Sequence, residues 1–261
     1  MRPVIDPMKR TEFNLEGQKA LVTGGSRGIG RSIAIALAEA GCDVAVNFIR
    51  HRSAAEAVAK QIEAMGRGAL ILKGNVAKEE HVHRMFKEIQ DAWGRIDILI
   101  SNAASGILKP ITELTFHHWQ WTMNINAASL LPLIQNALPL MENGGKVIAV
   151  SSLGAVRAIP NYAFVGASKA ALESLVRHLT VELAPRGIRV NCVSAGAVET
   201  DALRHFPNRE IMLKESLART PNGRLTTSED VANVVLFLCS PLAAQIHGQT
   251  IVVDGGYSIV A

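Results

Sequence analysis

Two tyrosines occur in the 261-residue sequence, Tyr162 and Tyr257, and the first lies among groups suited to handling protons and charge. Ser152 precedes it, and Lys169 follows with six residues between. A phenol hydroxyl donates and accepts hydrogen bonds, while a lysine ammonium supplies donors and a charge that favours an anionic neighbour. The position four before Lys169 is Val165, which has no proton to give. A second chemical signal lies near the start, in Thr23-Gly24-Gly25-Ser26-Arg27-Gly28-Ile29-Gly30. Glycines let the backbone turn tightly and come close to a pyrophosphate, and a following helix offers free N–H groups and a positive dipole end. Gly30 would allow close packing of that helix on the strand before it.

Both signals need a scaffold, and the sequence supplies a repeating one. Runs at Lys19–Thr23, Asp43–Phe48, Ala69–Lys73, Ile96–Ile100, Lys146–Val150, Ile188–Val193 and Thr250–Val253 read as strands. Most are continuously apolar, as strands of a parallel sheet covered on both faces must be. Helix-length patterns lie between them. Ile29–Ala40 ends at Gly41 and Ser53–Met65 at Gly66, glycine being the residue that takes positive φ without strain just past a helix. This β–α alternation predicts an α/β doubly wound parallel sheet. The glycine turn then falls between the first strand and the first helix, where such a pattern carries most weight.

Two stretches depart from the pattern. Thr115–Met141 reads as helical but contains Pro132 and Pro139, which predicts a kink. Asp201–Arg224 contains Pro207, Pro221 and Gly223 and reads as a mobile excursion with a short helix inside; long irregular segments in compact domains are usually functional lids.

Composition bounds the rest. The hydrophobic share of 48% fills a sizeable core, and the net charge of +4 contains no block of like charges that would predict nucleic-acid binding. Cys42, Cys192 and Cys239 are odd in number and far apart, so they are expected as small core residues in a reducing, cytoplasm-like compartment. No apolar run is long enough to span a bilayer, and Met1–Thr11 lacks the apolar stretch of a secretory signal. His117 with His118, and His81 with His83, do not share helix faces, so no metal site is expected.

The TGxxxGxG spacing of the glycine turn resembles the short-chain dehydrogenase/reductase family, and the resemblance runs from Gln18 almost to the end. Asn75-Val76, Asn102-Ala103-Ala104, Asn126, Ser151-Ser152 and Val253-Asp254-Gly255-Gly256 continue it in the expected order. It implies a single-domain, Rossmann-like, seven-stranded sheet with helices on both faces. Residues 1–14 would be an N-terminal extension and 15–261 the domain, with its substrate loop at about 201–225. It further implies that Asn75 and Val76 flank an adenine, that Asn102 to Ala104 line the ribose and nicotinamide side, and that Asn126 holds a helix and an ordered water. Gly24, Ser26, Arg27, Gly28, Ile29, Gly30, Gly196, Val198 and Thr200 complete the expected cofactor contacts, Thr200 at the carboxamide.

The family's usual motif is Tyr-x-x-x-Lys, and here Val165 stands in the tyrosine's place. Tyr162-x6-Lys169, the segment Arg157-Ala158-Ile159-Pro160-Asn161-Tyr162 and Ser194-Ala195-Gly196 resemble the enoyl-acyl-carrier-protein reductases; the glycine turn is of the ordinary short-chain type, and these features together are most similar to enoyl-acyl-carrier-protein reductase III. Asn102–Gly106 and His205–Glu210 are also similar to that type. The implied reaction reduces trans-2-enoyl thioesters in fatty-acid biosynthesis. Tyr162 would hydrogen-bond the thioester oxygen, Lys169 would bind the nicotinamide ribose, and Ser152 would be a secondary oxygen contact. A 3-ketoacyl or other carbonyl reductase, and a nonenzymatic NADPH-binding regulator, stand as alternatives.

An NAD enzyme usually carries an acidic residue about 20 positions beyond the glycines, on the ribose 2′-OH. No carboxylate lies between Asp43 and Glu56; Arg50, His51 and Arg52 are there instead, and Arg27 is in the glycine turn. An arginine fork suits a phosphate, so NADPH is the expected cofactor, with Arg27 and Arg50 as its 2′-phosphate contacts. The substrate would be carried on acyl carrier protein or coenzyme A. Lys109, Arg157, Arg204, Arg209 and Arg224 read either as steering groups for an acidic carrier or as scattered solvated charges. By resemblance the assembly would be a homodimer or homotetramer, with no nucleic acid or membrane partner.

Overall fold

The structure is a computed structural model that describes residues 13–142, 144–198 and 209–260. Seven strands run β1 Lys19–Val22, β2 Asp43–Phe48, β3 Ala69–Lys73, β4 Ile98–Ser101, β5 Gly145–Ser152, β6 Ile188–Ala195 and β7 Thr250–Val253. The helices are α1 Gly28–Glu39, α2 Arg52–Ala64, α3 Glu79–Trp93, α4 Phe116–Met123, α5 Leu130–Ala137, α6 Ala163–Leu183, α7 Arg209–Arg219 and α8 Ser228–Cys239. The strands form one sheet in the order β3-β2-β1-β4-β5-β6-β7, and every pairing is parallel.

Successive side chains of a strand point to opposite faces, and here both faces are buried. Val22, Val46, Ile100 and Val150 pack with α1, α2 and α8. Leu21, Ala45, Leu99 and Val147 pack with α3, α5 and α6 on the other face. This two-sided burial is why the strands read as unbroken apolar runs. The chain steps outward from β1 through β2 to β3, then returns to place β4 on the other side of β1. The loops leaving β1 and β4 therefore diverge, and the crevice between them is the usual ligand position of such sheets.

The kink expected in 115–141 is present, and its cause is wider than the two prolines. After α4 the chain makes a π turn over Asn124–Ala128, with the Ser129 N–H donating to the Asn124 carbonyl at 3.0 Å. Pro132 lies in the first turn of α5, where a missing N–H costs least, and Pro139 sits in a closing 3-10 turn. Such π turns often occur at functional sites, and this one holds Asn126. Within the expected substrate loop, residues 209–219 form α7; Thr200 and residues 201–208 lie outside the described residues, as do 1–12 of the expected N-terminal extension. No helix among the described residues is long and apolar enough to cross a membrane.

Candidate active site

The β1–α1 turn is built around close backbone approach. Gly24 has φ +62°, and a Cβ on Gly30 would overlap the Gly24 carbonyl and the Asn102 amide. Asn102 Nδ2 donates to the carbonyls of Thr23 (2.9 Å) and Gly24 (3.2 Å), and Thr23 Oγ1 accepts from the Asn102 and Ala103 N–H groups. The turns after β1 and β4 are thus locked to each other. Unlike α4 and α8, whose N-termini carry capping boxes, α1 begins at Arg27 with no side-chain cap and no acidic residue in its first turn. Its N–H groups and dipole end are left for a ligand anion.

One cavity of about 950 Å³ starts at this turn and crosses the carboxyl ends of the strands. Gly24, Ser26, Arg27, Gly28, Ile29 and Gly30 line its first part. Arg50 and His51 line it from the end of β2, with Asn75 and Val76 from the end of β3. Arg52 does not; it pairs with Glu56 one turn along α2, at 2.8 Å. Asn102, Ala103 and Ala104 continue the wall, followed by Ser152, Tyr162, Lys169, Gly196 and Val198. The glycine cradle, the uncapped helix and the basic residues beyond β2 fit a dinucleotide with its phosphates at α1. The structure thus brings together all but two of the expected site residues. Asn126 is buried beneath the cavity, and Thr200 lies outside the described residues.

Tyr162 sits just before α6, and its position is fixed by neighbours that yield little. Asn161 is at φ +62°, the one non-glycine residue with positive φ among those described. The tyrosine ring lies so close to Gly154 that a Cβ there would overlap it. Its hydroxyl is 3.2 Å from Ser152 Oγ, and Ser152 Oγ also accepts the Gly154 N–H. Burial raises the Tyr162 pKa, with the Ser152 bond opposing, so the phenol keeps its proton at neutral pH and remains a donor.

Lys169 is buried on α6, one face inward from the tyrosine, and its Nζ donates to the Val150 carbonyl at 2.7 Å. Burial pulls its pKa down to about 8, while the Glu173 carboxylate opposes the fall. Glu173 is itself buried and accepts a 2.6 Å hydrogen bond from Ser151 Oγ. Val165 packs against Gly106, where a Cβ would overlap its methyl. The position of the family's usual acid is therefore filled by aliphatic packing.

Asn47, which no motif announced, and Asn126, expected from the family resemblance, support the site through buried hydrogen bonds. Asn47, buried at the end of β2, accepts from the Gly24 N–H at 3.1 Å and donates to the Leu72 and Gly74 carbonyls. It ties the glycine turn to the loop bearing Asn75, whose own N–H donates to His81 Nδ1 at 3.1 Å. Asn126 accepts from the Ser105 N–H (2.8 Å) and donates to Ser168 Oγ (3.0 Å), joining the loop after β4 to α6 next to Lys169. An asparagine inside an apolar strand run, such as Asn47, is the trace that could have been followed, since buried polar groups demand partners.

Residues 24–258 match the family described as Enoyl-(Acyl carrier protein) reductase. The chain is a short-chain dehydrogenase/reductase. It is 41% identical over 246 residues to a 1-cyclohexenylcarbonyl-CoA reductase of Streptomyces collinus, covering 94% of this chain and 88% of the relative. It is 35% identical to an enoyl-[acyl-carrier-protein] reductase [NADH] of Synechocystis, over 95% of this chain and 99% of the relative. Among solved structures, a short chain dehydrogenase of Burkholderia cenocepacia in complex with NADP superposes with a TM-score of 0.88 at 33% identity, covering 94% and 99% of the two chains. A 7 alpha-hydroxysteroid dehydrogenase complexed with NADH and 7-oxo glycochenodeoxycholic acid superposes at 0.89 with 34% identity, covering 94% and 96%. As a short-chain dehydrogenase/reductase, the chain is an oxidoreductase of a family that binds nicotinamide cofactors. Its three cysteines are buried and free; burial pushes the thiols of Cys192 and Cys239 up to about 12, which removes thiolate chemistry at neutral pH.

Proposed function

We propose that this protein reduces 2-enoyl thioesters with NADPH. The observation that carries the reading is the pair of Tyr162 and Val165: the phenol projects into the cavity beside Ser152, while the usual acid position is packed with valine against Gly106. When bound, NADPH supplies a hydride to the β-carbon of the double bond. The carbonyl oxygen of the thioester then becomes an enolate oxygen, displaced from where a ketone oxygen would need its proton. Tyr162 donates a hydrogen bond to that oxygen as charge develops, and preorganised donors of this kind are often the largest catalytic contribution; the enolate then collapses to the saturated thioester by taking a proton from solvent at its α-carbon. Ser152 orients the phenol through their shared hydrogen bond. Lys169 holds the nicotinamide ribose and adds positive charge near the developing oxyanion.

Arg27 and Arg50 line the cavity where a 2′-phosphate would sit and no carboxylate accompanies them, which supports NADPH over NADH. The Streptomyces relative acts on a CoA thioester, which supports a CoA-linked or carrier-linked enoyl group here. Cofactor oxidation with crotonyl-CoA tests the reaction: turnover lost in Tyr162→Phe supports the assignment, and full turnover in Tyr162→Phe with Lys169→Ala overturns it.

A carbonyl reductase is the second reading, favoured by the superposition on a hydroxysteroid dehydrogenase. It requires a proton donor other than residue 165, and acetoacetyl-CoA turnover above that of crotonyl-CoA would select it.

A further inference from the structure

Arg157 belongs to the loop that carries Tyr162, and its guanidinium donates to the Ser258 carbonyl at 2.7 Å. Ser258 is part of a 3-10 turn, Tyr257–Ile259, that follows β7 at the end of the chain. The turn is fixed from several sides. The two carboxylate oxygens of Asp254 accept the Gly256 and Ser258 N–H groups at 2.9 and 2.7 Å. The guanidinium of Arg219, at the end of α7, lies 5.3 Å over the Tyr257 ring. Gly255 at φ +64° packs so closely on Asn222 and Thr220 that a Cβ would overlap both. Tyr257, Ser258 and Val260 face the same cavity as Tyr162, together with the apolar Ile159 and Leu153 of the tyrosine's own loop. The chain's second tyrosine is thus a wall of the cavity's reactive end, and this wall is tied directly to the loop that presents the first.

Resting on the enoyl-thioester reading, we infer that Arg157 is a positioning residue that locks the C-terminal turn against the Tyr162 loop, and that the fixed turn limits the site to compact acyl groups. A wall held by a charge-assisted hydrogen bond, a stacked guanidinium and a carboxylate-capped turn does not yield to a long chain. A short or cyclic acyl group fits in front of it without displacing it. Arg157 is exposed and gives Ser258 only part of its donor fork, so docking of an acidic carrier is the competing role, which its salt response separates.

The test uses the full chain and compares trans-2-dodecenoyl-CoA with crotonyl-CoA as kcat/KM. In parallel it compares the Kd of dodecanoyl-CoA and butyryl-CoA for the protein with NADP⁺. Arg157→Ala and Tyr257→Ala should each shift the long-to-short ratio toward the long chain by about tenfold, the scale on which apolar pocket contacts discriminate. Their double variant should shift it no further than the larger single one, since both act through one turn. Arg157→Lys, which still offers a donor to the Ser258 carbonyl, should keep the original ratio. Unchanged ratios in both single variants, or effects that multiply in the double, would overturn the inference. So would an Arg157→Ala defect confined to carrier-protein thioesters and relieved by salt, because that outcome marks a docking residue. If the unaltered protein reduces neither thioester but the Kd ratios move as stated, the enoyl reading fails and the positioning role stands. If it reduces both and no ratio moves, the positioning role fails alone.

Discussion

Among single residues, the position of the Tyr162 hydroxyl decides the chemistry. Replacing Tyr162 by Phe removes the donor and leaves the ring on Gly154 in place. It should lower kcat/KM for crotonyl-CoA by about 10²–10³, the cost of losing one oxyanion donor, while the Kd for NADPH stays unchanged. Steady-state kinetics with fluorescence titration of the cofactor check both halves. Lys169 sets the alkaline limit. Its protonated form is the one that carries charge, and burial brings its pKa down to about 8. Activity should therefore fall as pH rises through about 8. The Glu173 carboxylate holds that value up, with the neutral Cys192 thiol and neutral Tyr162 facing the same space. Glu173→Gln removes that charge, so the falling limb of the pH–kcat/KM profile should move to lower pH; a limb that stays put would show that Glu173 does not act on Lys169.

At the scale of elements, the glycine turn and the π turn do the positioning. Gly30→Ala would push a methyl into the Gly24 carbonyl and the Asn102 amide. Both are backbone-anchored, so the turn must open; the expected result is a lower melting temperature for the apoprotein and weakened NADPH binding, read by thermal denaturation and titration. The strands and the first helices were legible because a parallel sheet buried on both faces leaves unbroken apolar runs, and Gly41 and Gly66 mark helix ends by their need for positive φ. Most of the cavity lining was legible too, from Gly24 to Lys169, because each motif follows a strand whose carboxyl end opens on the same crevice. The two prolines predicted a break in this stretch but not the π turn, which lies ahead of both of them. Its Asn126 bonds to Ser105 and Ser168, partners 21 and 42 positions away, which no local pattern announces. The same holds for Glu173 and Ser151, and for the hydrogen bond from Arg157 to Ser258, which spans 101 positions.

At the scale of the whole molecule, the cofactor should govern stability. A ligand that binds only the folded state at about 100 times its Kd contributes about 2.7 kcal/mol. For a domain of this size that corresponds to a rise of roughly 5–10 °C in melting temperature. NADPH should give that rise and NADH, at the same concentration, a smaller one, because Arg27 and Arg50 find no phosphate on its ribose. Arg27→Ala should narrow the difference between the two cofactors, whereas an NADH shift equal to that of NADPH in the unaltered protein would contradict the role given to these arginines. The reaction itself is tested most directly by following NADPH oxidation with crotonyl-CoA and acetoacetyl-CoA at matched concentrations. Oxidation with crotonyl-CoA, and little with acetoacetyl-CoA, is the predicted result; preference for acetoacetyl-CoA would contradict the assignment of Tyr162 to an enolate oxygen.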